Sequence, residues 1–592
     1  MPSPTSALSF DSCRPSRKGP LTSFRVWAPR AKHVDLILGE GAERVSMNSE
    51  DGEFFTIELE AEAGLRYGYS LDGGPARPDP CTVHQPAGVH EISELYFCGD
   101  FEWKNGCVEI ERGDLIIYEM HIGTFTDEGT FDAAIERLDD LVELGVNALE
   151  VLPVAQFPGE RNWGYDGVQP FATQCSYGGP EAFMRFIDAA HGKGLAVFLD
   201  VVFNHLGPEG NYLNEFGPYF DRKVHTPWGA GFNFGGSNSQ PVRHWVMDCV
   251  WQWIHDFRLD GLRLDAVHAI VDSSPTHILA DLNEIADEAA AARGGACIMI
   301  AESLLNDDVM VTPRDKGGNG FDAEWNEDFH HAVSAWMTGE RDGKYVDYGE
   351  KGAIANVFRD TFHLAGQFSE FYGQNWGRPV RDKPGDRFVI SLQNHDHIGN
   401  RARGERFAAL VDEPQLRLGA CLTLLSPYVP MLYMGEEYGE TNPFLFFCEF
   451  GDERLIAAVR KGRKRDYGLK GEIPDPQAED SFMQSKLAWS WGEGLSSRMR
   501  ELYRDLIELR KSLPALRHYE EKAIWIDHDG DEMSVLVLTR GEKQDLHCVF
   551  NLSETEQKFP DMIREGELRW RSSDGPADKL SAYEAVIFEN PT

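Results

Sequence analysis

Gly261-Leu-Arg-Leu-Asp-Ala-Val-His268 decides the reading of this chain. It begins as an apolar strand and ends with Arg263 and Asp265, one pleat period apart, so both side chains leave the same face. A cation held beside a carboxylate lowers the acid's pKa and keeps it ionised, which suits a carboxylate nucleophile. Two more runs repeat the pattern. Residues 298–302, Ile-Met-Ile-Ala-Glu, end on Glu302, and residues 388–393 lead into Asn394-His-Asp-His-Ile-Gly-Asn-Arg401, which carries Asp396. A single Asp after an apolar run is ordinarily a helix cap or a turn residue. Three such runs, each with His or Arg near the acid, point instead to one catalytic site.

Working outward, apolar strand-like runs occur at 115–120, 148–152, 196–202, 262–265, 298–302, 323–325, 388–393 and 429–434. They alternate with helical intervals at 131–144, 181–191, 242–257 and 275–292, where leucines and aromatics recur three and four residues apart. This alternation predicts an α/β fold, a (β/α)8 TIM barrel with insertions over residues 106–512, with 497–511 as its last helix. In that fold chemistry sits at the C-terminal strand ends, where all three acids lie. Short runs at 24–29, 34–38, 54–59 and 67–71, broken by Gly, Asp and Pro, predict an N-terminal β-sandwich over 22–105. Runs at 533–538 and 547–552 predict a C-terminal β domain over 513–592, and residues 1–21, rich in Ser, Pro and basic side chains, read as a disordered lead-in.

Composition narrows the partners. At 592 residues, 42% hydrophobic and 26% charged, the chain is an ordinary globular protein too long for one core. Its net charge of -40 repels a phosphate backbone, so nucleic acid is excluded and a neutral substrate fits better. No apolar run is long enough to span a membrane, and the first residues lack the basic-then-apolar order of a secretory signal. The ten cysteines are scattered without a Cys-x-x-Cys pair, which argues against a zinc or disulfide framework and for a reducing, cytoplasmic location. The basic run at 460–465 reads as a solvated helix face and is assigned no function.

In order, Asp200-Val-Val-Phe-Asn-His205, Gly261 to Asp265, Ala301-Glu302 and Asn394-His-Asp-His397 resemble the four short motifs of glycoside hydrolase family 13, the α-amylase family. Segments 163–167, 204–212, 216–220, 226–229, 266–272, 328–331 and 434–438 are similar to loops of its trehalose-releasing members, and the likeness covers roughly residues 22–515. One departure is His397, where the family pattern often carries Gln. The three acids are intact.

The resemblance implies a retaining hydrolase whose two carboxyl groups stand about 5 to 5.5 Å apart. By that analogy Asp265 is the nucleophile, Glu302 the general acid with a raised pKa, and Asp396 a binder of the distorted sugar's hydroxyls. Arg263 would orient and ionise Asp265, His205 and His395 would donate to sugar hydroxyls, and Tyr165 would stack under the ring at the cleavage point. His268 would touch the leaving side, and Asp166 belongs to the Trp163-Gly-Tyr-Asp-Gly167 loop. Trp163, Trp228, Trp325, His330 and His331 are further candidates for the subsites holding trehalose, since aromatic faces suit pyranose rings.

The implied substrate is maltooligosyl trehalose, an α-1,4-glucan capped by trehalose. The implied pathway partner is a maltooligosyl trehalose synthase, and the N-terminal sandwich is expected to be immunoglobulin-like and glucan-binding-like. No cofactor and no required metal is expected, because the loop Leu206-Gly-Pro-Glu-Gly210 offers only Glu209 as a carboxylate. The rivals are a branching or debranching enzyme of the same family and a non-catalytic glucan-binding protein.

Overall fold

The computed structural model describes residues 10–39, 43–466, 473–520, 523–529, 532–563 and 566–590. Eight parallel strands close into a barrel: β1 (Ile117–Met120), β2 (Ala148–Val151), β3 (Ala196–Val201), β4 (Gly261–Leu264), β5 (Ile298–Ala301), β6 (Ala323–Trp325), β7 (Phe388–Ser391) and β8 (Val429–Tyr433). Closure comes from β8 pairing back onto β1, with Ile117 opposite Met431. All eight fall where the apolar runs predict them, to within two residues at either end. They read as near-continuous apolar runs because a parallel sheet is covered on both faces.

The inward face changes character along the strands. Ile117, Ala148, Phe198, Ile300 and Met431 belong to the buried apolar cluster that fills the barrel. Two residues further on, on the same face, come Glu119, Glu150, Asp200, Glu302 and Tyr433, all buried. The apolar filling thus supports a polar layer at the strand ends. Gly261, which opens β4, has no alternative: a Cβ there would lie 2.0 Å from the Ile298 carbonyl oxygen and 2.5 Å from the Phe198 ring.

Two helical expectations change in detail. The 131–144 interval forms two helices, Phe131–Ile135 and Leu138–Leu144, the second ending at Gly145 with φ 103°. The break lets Phe131 stack on Phe183 at 4.6 Å while Leu138, Leu141 and Leu144 turn into the core. The 242–257 interval is an α-helix, Gln240–Trp251, that widens into a π-turn at Gln252–Asp256. There Gln252 Nε2 and Trp253 Nε1 donate to the neighbouring carbonyls of Phe171 and Pro170.

Two antiparallel sheets precede the barrel. One is ordered Ser16–Lys18, Leu21–Trp27, Phe54–Leu59, Asn48–Ser49; the other runs Glu43–Ser46, Val34–Leu38, Arg66–Leu71, Ala76–Arg77. Both contribute to one core through Phe24, Val26, Leu36, Phe55 and Tyr69. The expected disordered lead-in is corrected over residues 10–21. Phe10 stacks on His244 at 5.2 Å, Arg14 pairs with Asp248 and Asp256, and Ser16–Lys18 forms an edge strand. A Ser- and Pro-rich composition does not reveal such anchoring; residues 1–9 lie outside the described residues.

After the barrel, helix Leu495–Ser512 leads into a five-stranded antiparallel sheet. Buried Arg540 ties that sheet back, donating to the carbonyls of Leu425 and Leu516 at 2.9 Å each. No helix among the described residues is long and apolar enough to cross a membrane. The basic run is less solvated than expected: Arg463 is buried, with its guanidinium over the Phe446 ring at 4.5 Å.

Candidate active site

Arg263 is the hub. Its guanidinium is fully buried and lies 4.1 Å above the Trp325 ring. Nη1 donates to Asp200 Oδ2 at 2.6 Å and to Asp265 Oδ1 at 3.1 Å, and Nη2 donates to Glu302 Oε2 at 2.7 Å. One planar fork therefore holds the acids of β3, β4 and β5. Given contacts of 3.1 and 2.7 Å on one fork, the bonded oxygens of Asp265 and Glu302 are no more than about 8 Å apart.

The turn after β4 completes the grip. Ala266 has φ 42°, a left-handed conformation that costs a non-glycine residue roughly 1 kcal/mol. It aims the Ala266 N–H at Glu302 Oε2, 2.8 Å away, while the Val267 N–H reaches the Glu302 carbonyl at 3.0 Å. Asn204 donates from Nδ2 to Asp265 Oδ2 at 2.7 Å. Both Asp265 oxygens thus accept a donor, whereas both donors to the Glu302 carboxyl fall on Oε2.

Asp396 sits in the first turn of helix His395–Gly399, which Asn394 caps by accepting the His397 N–H at 2.9 Å. Its side chain is 35% exposed, so it reaches the open side of the site. Carboxylate oxygens of Glu302, Asp396 and Glu327 lie within 4.8 Å of one another. Glu327 was not anticipated, although it follows β6 as the other acids follow their strands. Lys344, also unanticipated, pairs with it at 3.3 Å.

Below these acids, Glu119 of β1 accepts from the His395 backbone N–H at 3.1 Å and pairs with His395 Nδ1 at 2.5 Å. The Tyr165 hydroxyl donates to Asp200 Oδ2 at 2.6 Å and lies 2.8 Å from His395 Nε2, and the Tyr165 ring stacks on the imidazole at 5.1 Å. Burial opposes charge on His395, but Glu119 and then Asp396 outweigh it and raise the ring to about 9.

For Asp265 the expectation of a lowered pKa is corrected. Burial first, then the Glu302 carboxylate, push it well above the usual carboxylate range, while Arg263 and Asn204 pull the other way. Desolvation outweighs one cation when that cation is shared among three acids.

The remaining sequence candidates divide. Trp228 is 45% exposed and stacks on His205 at 5.7 Å; His205 Nε2 lies 3.1 Å from the Tyr165 carbonyl. Burial pushes His205 down to about 4. His268 is half-buried on the turn after Asp265, and Asp166 accepts from Asn162 Nδ2 at 2.7 Å. His331 is buried against the Tyr348 ring.

Five candidates are corrected to the frame beneath the site. Both ring nitrogens of His205 are engaged, by Asn204 Oδ1 at 2.5 Å and the Tyr165 carbonyl at 3.1 Å, and so are both of His395, by Glu119 and the Tyr165 hydroxyl, which leaves neither a donor for a sugar hydroxyl. Trp163 is buried, donates to the Leu445 carbonyl at 2.8 Å and stacks on Phe444 at 5.3 Å. Trp325 lies under Arg263 inside the barrel. Both ring nitrogens of His330 are engaged, by the Leu392 carbonyl at 2.6 Å and the Tyr345 hydroxyl at 2.9 Å. Residue type suits a sugar in each case, but the faces or nitrogens are already occupied. Glu209, the loop's carboxylate, accepts the Gly451 N–H at 2.9 Å.

Known proteins converge on this architecture. The alpha amylase, catalytic domain model matches residues 103–225, and carbohydrate-binding module 48, the isoamylase N-terminal domain, matches residues 12–81. A malto-oligosyltrehalose trehalohydrolase of Saccharolobus solfataricus is 47% identical over 83% of this chain and 85% of its own length. One from Mycobacterium tuberculosis is 42% identical over 96% and 99%. The chain belongs to the malto-oligosyltrehalose trehalohydrolase family. Within the wider α-amylase family, a crystal structure of a proposed α-amylase from Salmonella typhimurium superposes with TM-score 0.89 at 34% identity, covering 98% of this chain and all of that one. The module 48 match begins at residue 12, consistent with the packing of the chain from Phe10 onward.

Proposed function

We propose that the three acids gathered around Arg263 cleave maltooligosyl trehalose, hydrolysing the α-1,4 bond next to the terminal trehalose unit with retention. The activity follows from membership of the trehalohydrolase family. The observation that carries the residue assignment is the single fork of Arg263 shared by Asp265 and Glu302.

An Asp265 oxygen attacks the anomeric carbon of the glucose on the glucan side. The bond from that carbon to O4 of trehalose breaks, Glu302 gives its proton to O4, and trehalose leaves. A β-glucosyl ester on Asp265 remains. Glu302 then takes a proton from water, whose oxygen attacks the same carbon, and the shortened maltooligosaccharide departs with its α configuration restored.

Burial opposes charge on Asp265, so its anion depends on the donors that face it. Arg263 and Asn204 occupy both oxygens of Asp265 and favour the anion there. Glu302 keeps Oε1 for the proton, since its donors share Oε2. Asp396 binds hydroxyls of the distorted sugar. Charged His395 donates from Nε2 to the Tyr165 hydroxyl, whose own proton goes to Asp200, and so fixes the Tyr165 ring; Trp228 supplies an exposed face for a sugar ring.

A synthase that isomerises the reducing end of a glucan into a trehalose cap would supply this substrate. The ten unpaired cysteines favour a reducing compartment, and we place the reaction in the cytoplasm. The test is product analysis on maltooligosyl trehalose and on amylopectin. Free trehalose from the first is expected; new branches or released linear chains from the second, with no trehalose from the first, would favour the branching or debranching rival.

A further inference from the structure

His397, in the first turn after β7, has unusual surroundings. Both its ring nitrogens are buried and neither has a hydrogen-bond partner. An imidazole has one donor and one acceptor when neutral, and leaving either unmet in the interior costs about 1–3 kcal/mol. One face of the ring is covered by His330, stacked at 3.5 Å and 6°. His330 cannot serve as a partner, because the Leu392 carbonyl and the Tyr345 hydroxyl engage its nitrogens.

What faces His397 is a set of ligand atoms. Glu327 and His331 lie four residues apart on helix Glu327–Thr338, so they share one face of it. One atom from each of Glu327, His331 and His397 lies within 4.8 Å of the other two; Glu327 and His331 are buried, and His397 is half-buried with both ring nitrogens turned inward. Beside them is a cavity of ≈ 20 Å³ lined by Glu327, His331, Lys344, Tyr348 and Tyr372, room for about one water.

We infer that Glu327, His331 and His397 bind a divalent transition-metal ion of the zinc class, and that this ion inhibits hydrolysis. Two imidazoles and one carboxylate form a donor set that suits zinc or cobalt and not the hard cations calcium and magnesium. Drawing the three atoms onto an ion at about 2.0–2.2 Å needs only a small closure of side chains, and a fourth position remains for water. Lys344 pairs with Glu327 Oε2 at 3.3 Å and opposes the ion's charge, so binding is moderate and the other carboxylate oxygen is the one free to ligate. The inhibition rests on the reading of Glu302 and Asp396 as working acids. Glu327 is within 4.8 Å of both, so an ion on Glu327 sets a double charge beside them.

The test uses the full chain, stripped with chelator and desalted. Zinc binding is measured by calorimetry and cobalt binding by visible absorption, and trehalose release is followed over the same zinc range. One zinc per chain with micromolar affinity is expected, weakened at least about tenfold in His397→Gln and in His331→Asn, each verified as folded by thermal unfolding without metal. Inhibition should saturate with the calorimetric site and be relieved in His397→Gln. Equal zinc affinity in the parent and both variants, or no binding up to about 1 mM, would overturn the site. Binding without inhibition would overturn the inhibitory role alone. Because binding is read independently of turnover, an inactive protein that still binds zinc would count against the hydrolytic reading and not against the metal site.

Discussion

Glu119→Gln removes the charge that keeps His395 protonated while preserving the shape of the pair. His395 rises from an ordinary 6.5 to about 9 because Glu119 lies 2.5 Å from its ring. At about 1.4 kcal/mol per pKa unit, that rise is linked to a few kcal/mol of stability below pH 6, on the order of 3 kcal/mol, and to somewhat less at pH 7. The sign follows from the folded value lying above the unfolded one: the contribution is full below 6.5 and disappears as the pH climbs through about 9. In the variant burial prevails and the ring becomes neutral. Urea unfolding of parent and variant at pH 7 should therefore differ by roughly 2–3 kcal/mol, with most of the difference gone by about pH 9.5. The alkaline limb of kcat/KM should move down from near 9 toward neutral pH. A stability difference of the same size at both pH values, with an unmoved limb, would refute a charged His395 and leave Glu119 as a neutral hydrogen-bonding prop.

Other substitutions probe the rest of the site. Asp265→Asn and Glu302→Gln should each lower kcat at least about a thousandfold, while calorimetry still detects maltooligosyl trehalose binding; a rate near the parent's would remove the roles proposed for them. Arg263→Lys replaces a planar fork holding three acids with a single ammonium, so urea unfolding should show a loss of about 3–5 kcal/mol and turnover should collapse. Trp228→Ala removes an exposed face worth about 1 kcal/mol of stacking, which steady-state kinetics should read as a roughly fivefold higher KM with kcat nearly unchanged.

The barrel was legible because its strands are covered on both faces and so appear as unbroken apolar runs, each ending where a polar residue emerges. Asp265, Glu302 and Asp396 were found by that rule. Glu327 follows β6 in the same way and was overlooked because Asn326 and Asp328 flank it and nothing in one dimension ranks three adjacent polar residues. Glu119 lies within its strand, where a carboxylate reads as an anomaly until His395, far along the chain, is seen to pair with it. Trp163, Trp325 and His330 show the opposite failure. Aromatic chemistry suits a pyranose equally well whether a face is open or covered, and covering is a property of packing. The pKa of Asp265 was misjudged for a related reason: the adjacent Arg263 is visible in sequence, but its sharing with Asp200 and Glu302 and the depth of burial are not.

The central claim is that Asp265 attacks the sugar covalently while Glu302 manages the proton. Its most direct test is to react the Glu302→Gln variant with a fluorinated, activated maltooligosyl donor and map the adduct by mass spectrometry of its peptides. One glycosyl group esterified to Asp265 is the predicted result. A stable adduct on any other residue, or rapid hydrolysis of the donor giving the β-anomer first, would contradict the account.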